Sequence, residues 1–102
     1  MQSEHSQIIV RRFFEALQRL KHDGVIRGKQ TFTNRYGINR WNMNTLEKEP
    51  GRDIFQVGWL YYLAVDYKVS SEWLLTGIGG FYQQGWDAFS VKHLQKTCKE
   101  KE

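Results

Sequence analysis

Residues 40–48 read RWNMNTLEK. On a helical wheel at about 100° per residue, Met43 and Leu46 fall on one side. Trp41 and Lys48 lie opposite, flanked by Arg40, Asn44 and Thr45, with Glu47 near the boundary. The outward residue types are those that read a nucleic acid. A guanidinium matches the paired acceptors of guanine, amides and hydroxyls meet base edges, and a terminal cation such as Lys48 meets phosphate. Trp41 is the odd member. Its ring suits a thymine methyl or a sugar, a protein interface, or packing on the loop at Pro50.

Other residue groups offer no competing chemistry. His5, His22 and His93 are scattered, and the single cysteine, Cys98, gives neither zinc-ligand spacing nor an intramolecular disulfide, so it reads as a free thiol. Gly77-Ile78-Gly79-Gly80 lacks the preceding strand and the GKS/T ending of a phosphate loop and reads as a linker. No Ser/His/Asp set or paired carboxylates stand out. The expectation is no enzymatic activity, no cofactor, no metal and no small-molecule substrate.

The basic residues are unevenly spread. Residues 1–52 hold ten Lys/Arg against five Asp/Glu and residues 53–102 hold five against six, so halves of +5 and −1 make up the net +4. All seven arginines lie in the first half. Such a half fits a polyanionic partner as well as a merely solvated surface. A chain of 102 residues with 40% hydrophobic content and one proline is expected to form one globular domain around a modest core. No stretch is apolar for long enough to span a bilayer, and residues 2–12 do not read as a signal peptide. A soluble, cytoplasmic, nucleoid-associated protein without membrane contact is expected.

Short helices must position the outward face. Ile9, Phe13, Leu17 and Leu20 recur at helical spacing across residues 7–22, which Asp23-Gly24 ends. A second helix covers residues 29–36, and Gly37 supplies the left-handed position that stops it. Asn39 caps a third helix over residues 40–48. Asp53 is expected to cap a fourth helix over residues 54–67, with Val57, Leu60, Leu63, Ala64 and Tyr67 as its apolar face. Ser70 or Ser71 caps a fifth, ended by Gly77. Residues 77–85 read as a linker and residues 86–99 as a sixth helix. Trp59 and Trp73 belong to the core or to a dimer surface. The fold class is all-α.

At this point the chain resembles the lambda-repressor-like (Cro/CI, or XRE) helix-turn-helix domains. Phe32-Thr33-Asn34-Arg35-Tyr36-Gly37-Ile38-Asn39, followed by Met43 and Leu46-Glu47, is similar to the family's two-helix unit. Leu63-Ala64, Tyr67 and Val69-Ser70-Ser71-Glu72-Trp73-Leu74-Leu75-Thr76-Gly77 look like its ending, so the likeness spans roughly residues 8–80. The resemblance implies a five-helix DNA-binding domain over residues 7–77 and a linker with a helical arm over 78–102. It implies a transcriptional regulator, repressor-like, that binds double-stranded DNA as a homodimer on a pseudo-palindromic site. Residues 81–98 are the candidate dimer arm. By position, Arg40, Trp41, Asn44 and Thr45 would face bases. Lys29, Gln30, Arg35, Lys48 and Arg52 would meet phosphates, and Glu47 would pair with Arg19 or Lys21 of the first helix.

The sequence departs from that pattern in three places. Trp41 stands where a small or polar reader is usual. Thr33 replaces a small residue at the contact between the two helices, which Asn42 makes more polar still. The loop after Lys48 is longer and carries Pro50-Gly51. A second function class keeps the fold but uses Trp41 and the C-terminal aromatics to bind a protein, as an antitoxin or phage-type modulator would.

Overall fold

The computed structural model describes residues 3–97; Cys98 and the final KEKE lie outside the described residues. The described chain is all-α: α1 (Glu4–His22), α2 (Lys29–Tyr36), α3 (Arg40–Lys48), α4 (Gly58–Asp66), α5 (Ser71–Thr76) and α6 (Ala88–Thr97). The one β-type pairing among the described residues is an isolated bridge between Val69 and Tyr82. No helix among them is long and apolar enough to cross a membrane.

Local chemistry sets most helix ends. The Ser3 hydroxyl accepts from the Ser6 amide at 3.1 Å to cap α1. Arg19, Lys21 and His22 occupy its last turn, where cations favour the negative end of the helix dipole. Gly37 ends α2 at φ 65° and Asn39 caps α3, its side chain accepting from the Asn42 amide at 3.0 Å. Ser70 caps α5 in the same way through the Trp73 amide, and Gly77 ends it at φ 78°.

The core runs along α1. Val10, Phe13, Phe14, Ala16, Leu17 and Leu20 are buried, so Val10 takes the inward place expected of Ile9. Phe13 stands at the centre, with the rings of Phe14, Phe32, Phe55 and Trp59 all within 5.8 Å of its own. Met43 and Leu46 close the core from α3, and Trp59, Leu63 and Tyr67 from α4 and its end. Trp59 is therefore a core residue.

Two expectations fail here. The fourth helix starts at Gly58, not at residue 54, and its N-cap is Val57, without a side-chain cap. Residues 54–57 stay irregular while Ile54 and Phe55 pack inward; Phe55 sits edge-on to Phe13 at 5.4 Å. A helix begun at residue 54 would also carry Gly58 in its interior, at a cost of roughly 0.5–1 kcal/mol relative to alanine. Val57, expected inside, is 76% exposed.

The second failure is the tail. The sixth helix forms within its expected span, but residues 81–85, read as part of a linker, pack onto the core, and Phe81 and Val91 are both buried. The Phe81 ring sits edge-on to Trp73 at 4.8 Å, under the Arg19 guanidinium at 4.9 Å. Its carbonyl accepts from the Ser70 amide, and the Gln83 amide donates to the Lys68 carbonyl, each at 2.8 Å. The Gln83 side chain reaches the Ala64 carbonyl at 2.6 Å, and Tyr82 donates to Asp23 at 2.7 Å. Lys68 adopts a left-handed conformation at φ 56°, and its ammonium lies 5.2 Å from the Trp86 ring. The strap over residues 81–86 is thus built into the domain.

Candidate nucleic-acid interface

The pair α2–α3 is joined by a three-residue turn. Gly37 takes the left-handed conformation, and the Ile38 amide donates to the Thr33 carbonyl at 2.9 Å. Thr33, the polar residue at the helix contact, is 2% exposed, yet its hydroxyl donates to the Gln30 carbonyl at 3.1 Å. Its burial therefore leaves no unsatisfied group, which would otherwise cost about 1–3 kcal/mol.

α2 is held firmly from behind. Tyr36 stacks on Tyr62 with centroids 4.0 Å apart and planes 2° from parallel, and its hydroxyl donates to Asp66 at 2.5 Å. Burial, and then that hydrogen bond, push the Tyr36 phenol well above its ordinary pKa. Arg35 lies between the rings of Tyr36 and Tyr67, at 5.4 and 5.3 Å, and donates to the Gln95 side chain of α6. Burial pulls the Arg35 pKa down, but hydrogen bonding to Tyr67 and nearby charges more than offset this and leave it raised. Gln95 also donates to the Asp66 carbonyl at 2.6 Å. These contacts fix α2, and with it the turn, against α4 and α6.

From this frame α3 projects its outer face. Met43 and Leu46 are fully buried, whereas Arg40, Asn44 and Lys48 are exposed and Trp41 is 66% exposed. Thr45 is half-buried at the margin. An open groove of about 440 Å³ runs between the first turns of α2 and α3, with Lys29, Gln30, Arg40 and Asn44 on its polar rim and Thr33 and Met43 along its floor.

The expected phosphate contacts divide. Lys48 and Gln30 stand on the surface. Arg52 is exposed and lies 3.5 Å from Glu49. Arg35 is a correction: its side chain is 15% exposed and serves the α2–α4–α6 junction, because its guanidinium finds two rings and a carboxylate on that side. Lys29 is also engaged. Its ammonium pairs with Glu47 and donates to Asn44 Oδ1 at 3.3 Å.

The expected partners of Glu47 were Arg19 or Lys21. Arg19 instead meets Asp23 at 3.4 Å and covers Phe81, so the strap takes up that cation and α2 supplies the partner of Glu47. This Lys29–Glu47–Asn44 cluster has no local signal in the sequence, since Lys29 lies 15 and 18 residues from its two partners. Among the described residues no group of three or more His, Cys, Asp or Glu could hold a metal ion.

No protein-family model, curated protein or solved structure matches this chain.

Proposed function

We propose that this protein is a sequence-specific double-stranded DNA-binding regulator of the lambda-repressor-like class, with α2 and α3 as its helix-turn-helix. One observation carries the reading: α3 buries Met43 and Leu46 while α2, packed against α4 and α6, leaves Arg40, Trp41 and Asn44 projecting beside a polar groove. A helix so held enters a major groove with its first turns against base edges and its last turn near the backbone. Arg40, Trp41, Asn44 and Thr45 then face bases, while Gln30, Lys48 and Arg52 meet phosphates.

The regulator acts as a homodimer on a pseudo-palindromic site, since one short helix reads few base pairs. With Phe81 and Val91 committed to the core, the arm's contribution narrows to its outward side, where Phe89 is 80% exposed.

The test separates reading from holding. Arg40→Ala should cost about 1–3 kcal/mol on the preferred site and much less on random duplex, which relaxes specificity. Lys48→Ala should weaken both alike and lower the salt slope by about one contact. Equal losses from both variants on every sequence would reduce the face to an electrostatic grip without an operator.

A specific observation favours a second reading. Val57, Tyr61 and Val65 form an apolar row along α4, 76%, 64% and 42% exposed, as a protein-interaction module of the same fold would present. Absence of any DNA binding at low salt would support that module instead.

A further inference from the structure

The cluster of Lys29, Glu47 and Asn44 bears on which bases the face can accept, given the DNA-reading role proposed above. An asparagine pairs with adenine by using both ends of its amide, Oδ1 accepting from N6 and Nδ2 donating to N7. A lysine ammonium has three donors and no acceptor. Its hydrogen bond to Asn44 at 3.3 Å therefore engages Oδ1 and holds that oxygen toward α2, so that Nδ2 is the end left to meet a base. Glu47 holds the same ammonium, which balances its charge and keeps it against Asn44.

The neighbouring groups have the same polarity. Arg40 carries five N–H donors and no acceptor, Trp41 a single indole N–H, and Lys48 an ammonium. The one hydroxyl of the set, on Thr45, is half-buried at the margin. The carboxylate of Glu47 is taken up by Lys29, so hydrogen-bond donors dominate what α3 offers a base. In the major groove guanine offers two acceptors, N7 and O6, and thymine offers O4. Adenine presents an amino group beside its N7 acceptor, and cytosine an amino group alone, and each amino group needs an acceptor from the protein.

We infer that Lys29 is a specificity-determining residue: by holding Asn44 Oδ1 toward α2 it denies adenine the two-ended amide contact, so that the half-site places guanine under Arg40 and favours guanine or thymine over adenine and cytosine under Asn44. Lys29 acts here as a positioning residue and takes no phosphate.

Selection from randomised duplex DNA with the full-length protein tests this, with Asn44→Ala used to identify the base pair that Asn44 reads. The wild type should enrich guanine or thymine there. Lys29→Met combined with Glu47→Gln removes the clamp without leaving an unpaired charge and frees both ends of the amide. That double variant should enrich adenine at this one position, about tenfold or more relative to wild type, with guanine under Arg40 unchanged. Adenine or cytosine at that position in the wild type, an unchanged site in the double variant, or no position relaxed by Asn44→Ala would each overturn the inference and leave DNA reading intact. No enrichment of any sequence, with no binding at low salt, would overturn the DNA reading itself.

Discussion

Glu47→Gln isolates the effect of one neutralised cation on DNA binding. In the folded protein Lys29 and Glu47 pair, each with a side chain 38% exposed, so the lysine brings no net charge to the α2–α3 rim. Releasing it adds one ammonium beside the groove. Each phosphate neutralised steepens the dependence of log K on log salt by about 0.9 for duplex DNA. Over a fourfold rise, from about 50 to about 200 mM salt, one more contact multiplies the loss of affinity by 4 to the power 0.9, about 3.5-fold. The pair is half-exposed, so folding stability should change by no more than about 1 kcal/mol. The assay is fluorescence anisotropy of a labelled random duplex across a salt series. Lys29→Met/Glu47→Gln removes the carboxylate without freeing a cation and should keep the wild-type slope. An unchanged slope in Glu47→Gln, or a slope that Lys29→Met flattens as much as Lys48→Ala does, would refute the idea that Glu47 silences Lys29.

Three further outcomes are expected. Phe81→Ala should destabilise by about 3–5 kcal/mol, as for other buried phenylalanines, whereas Phe89→Ala should stay within about 0.5 kcal/mol; equal thermal melts would mean that the strap is not part of the core. Gly37→Val places a β-branched residue at φ 65° and should cost about 1–2 kcal/mol or more, lowering the melting temperature beyond any single change at 40, 41 or 44. Burial and hydrogen bonds to Asp66 and Asp23 raise the pKa values of Tyr36 and Tyr82. Their contribution is therefore fully present below about pH 10, the unfolded phenol value, and is lost as pH rises through the higher folded values. Chemical denaturation across that alkaline range should lose part of its pH dependence in Tyr36→Phe and in Tyr82→Phe.

What could be read from the sequence was what neighbouring residues decide among themselves. Gly37, Asn39, Ser70 and Gly77 set helix ends within three or four residues, and α2 and α3 have the expected bounds. Met43 and Leu46 are buried as helical spacing requires. The start of α4 was not legible, because Phe55 is drawn to Phe13, more than forty residues earlier, against the local preference for a capped helix at Asp53. In the strap, glycine and glutamine imply a linker, whereas the burial of Phe81 depends on Trp73 and Arg19. Arg35 and Lys29 look like ordinary surface cations in sequence. Their real neighbours, Gln95 and Glu47, are set by how the helices fold together.

The division of labour along α3 also bears on how such a protein can change. Residues 39, 43 and 46 hold the helix in place, while Arg40 and Trp41 point outward without entering the core. Variation at 40 and 41 is therefore nearly neutral for folding, and a lineage or a combinatorial library can explore new outward chemistry there without crossing the threshold of unfolding. Position 44 is different, because replacing Asn44 also withdraws an acceptor from Lys29. Adaptive steps at 44 should be epistatic with 29 and 47, and those three sites are expected to change together, while 40 and 41 drift one at a time.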